Sequence, residues 1–202
     1  SDYWLEFGVP DIRSPGFIEN KRRKARHRIS FLEKHSLLPT PGSLLEIGSA
    51  EGQFLSEMKA RGWRIRGIEP DRELARTSAA DLEAPVAAGM FPEALPSQTQ
   101  PFDLITAFHV IEHALSPREV LNAARGLLAK DGLLYLAVPD AGAVGLTLEH
   151  PIFRACHLYS FTTQTLGHLL QVCGFEPLWF GPSDVCGKPE LKAVARATGG
   201  ES

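Results

Sequence analysis

The chain has 202 residues, of which 44% are hydrophobic and 22% charged, and its formal net charge is −3. This length and composition are typical of one globular domain whose core needs no disulfide or metal. They argue against a generic nucleic-acid-binding body, which would be more basic, and no apolar run approaches the roughly 18–20 residues of a membrane span. Because Cys156, Cys173 and Cys186 are odd in number and show no CxxC spacing, we expect reduced thiols in a cytoplasmic protein.

The first 40 residues are predicted to form an extension that precedes the main domain of residues 41–202. It contains a helix over about 17–35 and a dense basic run, Lys21–Arg28. This run is either a solvated helix face or a surface that recognises an anionic molecule bearing phosphate or carboxylate. The aromatic residues that open the chain form either a lid over a ligand or a packing segment: Tyr3, Trp4 and Phe7.

Strands and helices are predicted to alternate through the rest of the chain. Helices are expected after Glu51, Asp71 and Pro117, with Asp71 and Ser116 as N-caps. Two closing strands follow, separated by turns at Gly181-Pro182 and Gly187. The alternation predicts a parallel sheet covered by helices on both faces. The predicted strands are 43–47, 64–69, 84–88, 102–108, 132–138, 175–180 and 191–197.

The most informative segment is the first strand and the turn that follows it. The strand Ser43–Ile47 carries Glu46 near its end, and small residues follow at 48, 50 and 52 before a helical pattern. Small residues let the backbone approach a ligand, and a helix N-terminus offers unpaired N–H groups. Glu69 ends the second strand 23 positions after Glu46, where an acid can accept hydrogen bonds from ribose hydroxyls. The segment therefore predicts a nucleoside-binding βαβ unit.

The glycine spacing indicates which nucleoside. The dinucleotide pattern G-x-G-x-x-G/A, counted from Gly48, fails at Ala50 and Gln53. The pattern acid-x-Gly-x-Gly-x-Gly fits as Glu46, Gly48, Ala50 and Gly52, with only the middle glycine replaced. The methyl group of Ala50 is expected to be tolerated there if its φ angle is negative. The spacing disfavours a nicotinamide-dependent oxidoreductase, which stays open as an alternative.

With this pattern and three later segments, the chain resembles the class I S-adenosylmethionine-dependent methyltransferases of the ubiquinone-type, small-molecule subgroup. The matching segments are His109–Leu115, Leu127–Leu136, and His157–Thr162 with Cys173–Phe175. The resemblance covers about residues 40–197. It implies a Rossmann-like sheet of seven mostly parallel strands with the last strand antiparallel. It also implies S-adenosylmethionine as cofactor and methyl transfer to a small molecule, at oxygen in preference to nitrogen or carbon.

The resemblance also implies a set of cofactor-binding positions. Met90 and Phe91 stand where many relatives carry an acid that meets the adenine amino group, so adenine is expected to be recognised there by backbone and apolar contact. The candidate cofactor-binding residues are Glu46, Gly48, Ser49, Ala50, Gly52, Phe54, Glu69, Pro70, Met90, Phe91, Phe108 and His109.

Three histidines are candidate catalytic residues because all fall at the expected mouth of the sheet. We expect His157 to act as general base, with His109 or His113 orienting the acceptor. An alternative is a metal site of His109, Glu112, His113 and His157, since the segment 109–113 also looks like the metal-binding motif of the small-RNA terminal 2′-O-methyltransferases. Similar segments are common in methyltransferases that need no metal, so we expect no metal here. Another alternative is a catalytically silent cofactor-binding subunit that acts through its basic helix.

Overall fold

The computed structural model describes residues 14–96, 99–143, 156–185 and 188–198. The predicted aromatic lid and Gly187 lie outside these ranges. Five α-helices are described, and within the same ranges no helix is both long and apolar enough to cross a membrane. The helices are α1 (Pro15–Lys34), α2 (Gln53–Lys59), α3 (Arg72–Leu82), α4 (Pro117–Leu127) and α5 (Thr163–Val172).

Local capping explains where three of these helices begin. The side chain of Ser14 accepts the N–H of Phe17 and so starts α1 two residues before the predicted position. Asp71 accepts the N–H groups of Glu73 and Leu74 at the start of α3, as predicted. Ser116 caps α4, also as predicted.

Seven strands form one sheet in the order β3-β2-β1-β4-β5-β7-β6. Neighbouring strands are parallel from β3 to β5, while β7 runs antiparallel to both β5 and β6. The predicted Rossmann-like fold with an antiparallel last strand is therefore confirmed. The strands are β1 (Ser43–Ile47), β2 (Arg64–Glu69), β3 (Val86–Ala88), β4 (Phe102–Phe108), β5 (Leu128–Pro139), β6 (Phe175–Asp184) and β7 (Pro189–Ala197).

The predicted turn at Gly181-Pro182 is wrong. Both residues lie inside β6, where they pair with Lys192 and Leu191 of β7. Proline has no N–H to donate, but β6 is the edge strand of the sheet, and a proline there need not interrupt the ladder.

Two apolar cores cover the two faces of the sheet. One lies between the sheet and α4 and α5, and includes Leu121, Leu166 and Leu170. The other contains Ile29 and Leu32 of α1 together with residues of α2 and the sheet. Helix α1 therefore shares a core with the main sheet, although it was assigned to the predicted extension of residues 1–40. The boundary at residue 40 stays a prediction.

The sheet order reverses between β1 and β4. Chain connections leave these two strands in opposite directions, which opens a crevice at their carboxyl ends. Strand β1 ends at Ile47, opposite Ala107 of β4. The turn of residues 48–52 after β1 (the glycine turn) and the turn of residues 109–113 after β4 are therefore neighbours, at the edge where open α/β folds bind ligands.

Candidate functional site

Two glycines give the turn after β1 its shape. Gly48 has a φ of 70° and Gly52 a φ of 72°, both in the left-handed region. A Cβ at Gly48 would lie 2.6 Å from Cγ2 of Val110, and one at Gly52 would lie 2.7 Å from Cδ1 of Leu82. The first contact shows how closely the turn after β4 approaches the glycine turn.

Ala50 also adopts left-handed backbone, with a φ of 47°, so the negative φ under which its methyl group was expected to be tolerated is not found. The turn requires this conformation at alternate positions 48, 50 and 52. An L-residue other than glycine is less stable there by roughly 1–2 kcal/mol. The N–H of Ala50 donates to Oε2 of Glu69 at 2.9 Å, which helps to hold the strained residue in place.

Glu69 lies at the end of β2 with its carboxylate against the glycine turn. Its Oε1 accepts the N–H of Asp71 at 3.0 Å, so each oxygen already has one backbone donor. Burial raises the pKa of Glu69, and the hydrogen bonds from Asp71 and Ala50 oppose that rise. A carboxylate oxygen has two lone pairs, so each oxygen of Glu69 can accept a second hydrogen bond, from a ligand hydroxyl.

Glu46 is 5% exposed and more isolated. Its Oε2 has no hydrogen-bond partner among the described residues. Burial raises the pKa of Glu46 to about 8, while the charges of Arg28 and Lys21 act to lower it. A cationic ligand group beside this buried acid would favour its ionised form and lower its pKa.

The other predicted cofactor residues divide between the surface and the core. Pro70 is exposed and directly follows Glu69. Met90 is 60% exposed and directly follows Gly89, whose N–H donates to the carbonyl of Glu69. Three further predicted residues are largely buried: Ser49, Phe54 and Phe91.

Phe108 connects the predicted site to a residue that the sequence did not single out. The ring of Phe108 meets that of Phe54 edge to face, with centroids 5.0 Å apart. The guanidinium of Arg28 lies 3.9 Å from the centroid of the Phe108 ring. Arg28 belongs to the basic run of α1, but its side chain is only 12% exposed.

The rest of the basic run mostly contacts α2 and the glycine turn. Arg22 donates to Gln53 at 3.1 Å, and Arg26 forms an ion pair with Glu57 at 2.9 Å. Lys21 lies 3.6 Å from Glu51 in the glycine turn. The run therefore places α1 against α2 and directs Arg28 inward.

Arg28 takes part in a buried group of charges together with two residues of β7. Glu190 is 2% exposed and Lys192 is fully buried. Oε2 of Glu190 lies 3.8 Å from Nη2 of Arg28, and its Oε1 lies 3.5 Å from Nζ of Lys192. Burial lowers the pKa of Lys192. It acts to raise the pKa of Glu190, but a hydrogen bond from His109 and the charge of Arg28 leave that pKa lowered. Sequence reasoning missed this pair: Glu190 lies just before the predicted last strand of residues 191–197, and Lys192 lies inside that strand.

His109 lies at the end of β4 between two carboxylates. Its Nε2 lies 3.2 Å from Oε2 of Glu190, and its Nδ1 lies 3.4 Å from Oε1 of Glu112. Burial acts to lower the pKa of His109, but the bonds to Glu112 and Glu190 outweigh it and raise the pKa. A doubly protonated ring satisfies both contacts. The backbone of His109 is left-handed, with a φ of 57°.

His113 and His157 form a second histidine group. Their rings meet edge to face with centroids 4.8 Å apart. Nδ1 of His113 lies 2.8 Å from the carbonyl oxygen of Cys156. A carbonyl only accepts, so Nδ1 carries the proton and Nε2 of a neutral ring carries the lone pair. Of the four residues of the metal alternative, Glu112 lies between the other groups, with Oε1 3.4 Å from Nδ1 of His109 and 3.9 Å from Nε2 of His113. The four side chains do not meet as one set of close ligands.

A cavity of about 360 Å³ lies beside the glycine turn, between α1, α2 and α3. Glu51 and Gln53 line it from the turn, and Thr77 and Asp81 line it from α3. None of the predicted cofactor-binding residues lines it.

Known proteins share this fold. A chain from the complex of the Trm112 methyltransferase activator with a methyltransferase of Haloferax volcanii is 15% identical; the match covers 98% of this chain and 97% of that one, with a TM-score of 0.72. Magnesium protoporphyrin IX methyltransferase from Synechocystis, with bound S-adenosylhomocysteine, is 12% identical, with 97% and 94% covered and a TM-score of 0.68. The N-methyltransferase NodS of Bradyrhizobium japonicum is 18% identical, with 87% and 97% covered and a TM-score of 0.66.

No curated protein sequence matches the chain. The sequence model of a family described as a methyltransferase domain matches residues 17–178, which is most of the chain and includes α1. The predicted ubiquinone-type subgroup stays a prediction. The chain belongs to this methyltransferase domain family, and it is a class I S-adenosylmethionine-dependent methyltransferase.

Proposed function

We propose that this protein transfers the methyl group of S-adenosylmethionine to an oxygen atom of a small-molecule acceptor. The observation that carries the proposal is the pair of acids, Glu46 and Glu69, on either side of the glycine turn, where β1 meets β4. The Synechocystis relative crystallised with S-adenosylhomocysteine supports the same cofactor for this chain.

The cofactor is proposed to lie across the glycine turn. Glu69 accepts the ribose hydroxyls through the lone pairs that Ala50 and Asp71 leave free. Gly48 and Gly52 let the backbone approach the ligand. Glu46 faces the cationic methionyl end, because it is buried and its Oε2 has no partner within the described ranges.

The remaining cofactor contacts follow from position. Adenine meets Met90 at the exposed turn after β3, where apolar contact replaces an acid. Pro70 lies in the same turn region as Glu69. Arg28 is a largely buried cation at this edge and is proposed to approach the carboxylate of the methionyl group.

The histidines are proposed to prepare the acceptor. His157 is proposed to take the acceptor proton. His113 lies beside it, and its N–H at Nδ1 donates to the carbonyl of Cys156, which leaves the lone pair of a neutral ring on Nε2. His109 lies between Glu112 and Glu190, which favour its protonated form, and it is proposed to orient the acceptor. A general base of this kind typically raises the reaction rate by about 10²–10⁴-fold.

The transfer itself is a single displacement. The acceptor oxygen forms a bond to the methyl carbon as the bond from that carbon to sulfur breaks, and S-adenosylhomocysteine leaves. Alignment of oxygen, methyl and sulfur can lower the barrier by roughly 7–11 kcal/mol. An acceptor nitrogen is the second possibility, since NodS is an N-methyltransferase.

An anionic acceptor is proposed from the basic run. Arg23 is exposed on α1, where its guanidinium contacts Asn20, and it does not take part in the contacts with α2 described above. Arg23→Glu should raise the KM of an anionic acceptor and leave S-adenosylhomocysteine affinity unchanged. An unchanged KM would assign the run to packing and solvation alone.

Calorimetric titration tests the cofactor assignment directly. The full chain should bind S-adenosylhomocysteine saturably and should not bind NAD. Incubation with radiolabelled S-adenosylmethionine and a panel of phenols, alcohols and amines then identifies the acceptor. Binding of NAD in place of S-adenosylhomocysteine would overturn the proposal, and cofactor binding without transfer to any acceptor would favour the silent subunit.

A further inference from the structure

Three side chains that commonly bind metals meet beside the turn after β4. His113 ends the short 3-10 turn Ile111–His113, and Cys156 and His157 come from the connection that follows β5. One ligand atom from each lies within 4.8 Å of the other two. In the part of the chain that the structure describes, this is the one group of three histidine, cysteine or acidic side chains that approach so closely.

The ligand types favour a particular class of ion. Imidazole and thiolate together suit Zn²⁺, whereas Mg²⁺ and Ca²⁺ prefer oxygen ligands. Bonds of about 2.3 Å to sulfur and about 2.0–2.1 Å to nitrogen place tetrahedral ligand atoms roughly 3.6 Å apart. The three ligand atoms therefore need to approach one another by at most about 1.2 Å, which is within the range of rotamer adjustment.

Neighbouring groups already orient one of the ligands. The N–H at Nδ1 of His113 donates to the carbonyl of Cys156, and this leaves Nε2 with its lone pair. Metal-binding histidines usually donate their other N–H to such an acceptor. Glu112 is 1% exposed, and its Oε1 lies 3.9 Å from Nε2 of His113, which places a carboxylate next to the group.

The two segments are held together by the backbone as well. The N–H of Tyr159 donates to the carbonyl of Glu112 at 3.1 Å, and the hydroxyl of Tyr159 donates to the carbonyl of Leu115 at 3.1 Å. Cys156 and His157 therefore start close to His113 before any ion binds. This preorganisation lowers the entropy cost of assembling the ligands.

We propose that His113, Cys156 and His157 bind a Zn²⁺ ion, or a divalent ion with the same preference for imidazole and thiolate. Three protein ligands leave the fourth tetrahedral position open to water or to the acceptor. The acceptor role rests on the proposed function: an acceptor hydroxyl bound to the ion would release its proton to solvent, because the ion lowers the pKa of that hydroxyl. Its oxygen would then bond to the methyl carbon as the bond from that carbon to sulfur breaks and S-adenosylhomocysteine leaves. The histidine pair would act through the ion rather than as a free base.

Cobalt provides a probe that needs no acceptor. The full chain, freed of metal by a chelator and kept reduced, is titrated with Co²⁺. We expect one equivalent to give the visible bands of tetrahedral Co²⁺ and a near-ultraviolet thiolate charge-transfer band, and Zn²⁺ to abolish both. Cys156→Ser should lose the charge-transfer band, whereas Cys173→Ser, a buried cysteine outside the group, should keep it.

Two further variants test the site independently of the thiolate. His157→Ala should weaken Zn²⁺ binding at least tenfold. Glu112→Gln removes the negative charge 3.9 Å from Nε2 of His113, the proposed ligand atom, and should also weaken Zn²⁺ binding. Zn²⁺ should raise the Tm of the unmodified chain and of Cys173→Ser but not that of Cys156→Ser.

Absence of the charge-transfer band, or its persistence in Cys156→Ser, would overturn the metal site. Zn²⁺ affinity unchanged in His157→Ala would do the same. Titration of the same samples with S-adenosylhomocysteine separates the two proposals. Cofactor binding without a cobalt spectrum leaves the methyltransferase proposal standing alone, and a cobalt spectrum without cofactor binding leaves only the metal site.

Discussion

The carboxylate of Glu69 holds the backbone of Ala50, whose N–H donates to Oε2 of Glu69 at 2.9 Å. The second oxygen of the same carboxylate accepts the N–H of Asp71. A residue that the sequence assigns to the ribose therefore also fixes the turn on which the cofactor is proposed to lie. Substitutions at Glu69 should affect stability and cofactor binding together.

Glu69→Ala should weaken S-adenosylhomocysteine binding by about 1.5–3 kcal/mol, which is the typical contribution of hydrogen bonds to a charged group. It should also lower the free energy of unfolding, because two backbone N–H groups lose their acceptor. Calorimetry and urea unfolding measure the two effects. Glu73→Ala is the control, since Glu73 is exposed and its carboxylate forms a surface ion pair with Arg76. Unchanged affinity in Glu69→Ala would remove Glu69 from the cofactor site.

Ala50→Gly should stabilise the protein despite removing a methyl group. Relief of the left-handed conformation gains roughly 1–2 kcal/mol, and the greater freedom of glycine in the unfolded chain costs about 0.4–1 kcal/mol. The net gain of up to about 1.5 kcal/mol corresponds to a Tm rise of a few degrees for a chain of this size.

The control for this substitution is Ala80→Gly on the exposed face of α3. It should destabilise the protein by roughly 0.5–1 kcal/mol, because glycine is unfavourable in a helix. Opposite signs for the two alanine-to-glycine changes would confirm the left-handed turn. Equal destabilisation would contradict it.

Glu46→Gln should change how stability depends on pH. The pKa of Glu46 is about 8 in the folded protein and 4.5 as its ordinary value, so between these pH values the folded state holds a proton that the unfolded state releases. The proton held by Glu46 therefore stabilises the folded state most fully below about pH 4.5, and this stabilisation is lost as pH rises to about 8. Over that interval the free energy of unfolding falls by up to about 1.4 kcal/mol per pH unit. Glutamine does not titrate, so urea unfolding from pH 5 to pH 8 should show a flatter profile for the variant. Parallel profiles would show that Glu46 is ionised in the folded protein.

Two arginines of the same helix should differ in their contribution to stability. Arg28→Ala removes a cation that is 12% exposed and leaves the buried carboxylate of Glu190 with one partner fewer. The free energy of unfolding is expected to fall by about 3–5 kcal/mol, as for a broken buried ion pair. Lys192 and His109 still contact Glu190 and reduce this loss. Arg22→Ala, on the exposed side, should cost less than about 1 kcal/mol. Thermal unfolding of both variants provides the comparison, and equal losses would contradict the inward position of Arg28.

Local patterns in the sequence determined most of the fold. Strand and helix periodicity placed all seven strands, and short polar residues marked the caps Asp71 and Ser116, because these signals act within a few residues. The glycine spacing and Glu69, 23 positions after Glu46, indicated the ligand class. These signals are also local, because the backbone of a single turn must approach the ligand. The helix α5 was not predicted, although Thr162 caps it.

The tertiary structure alone decided which polar residues are buried and which meet. Arg28 looked like one cation among several in a solvated run, and only the packing of α1 over the sheet directs it toward Glu190. His109 and Glu190 are 81 positions apart, and Cys156 meets His113 across the connection after β5. Such pairs depend on strand order and register, which composition and spacing do not encode locally. The same holds for Ala50, whose left-handed backbone is fixed by Glu69 from the neighbouring strand.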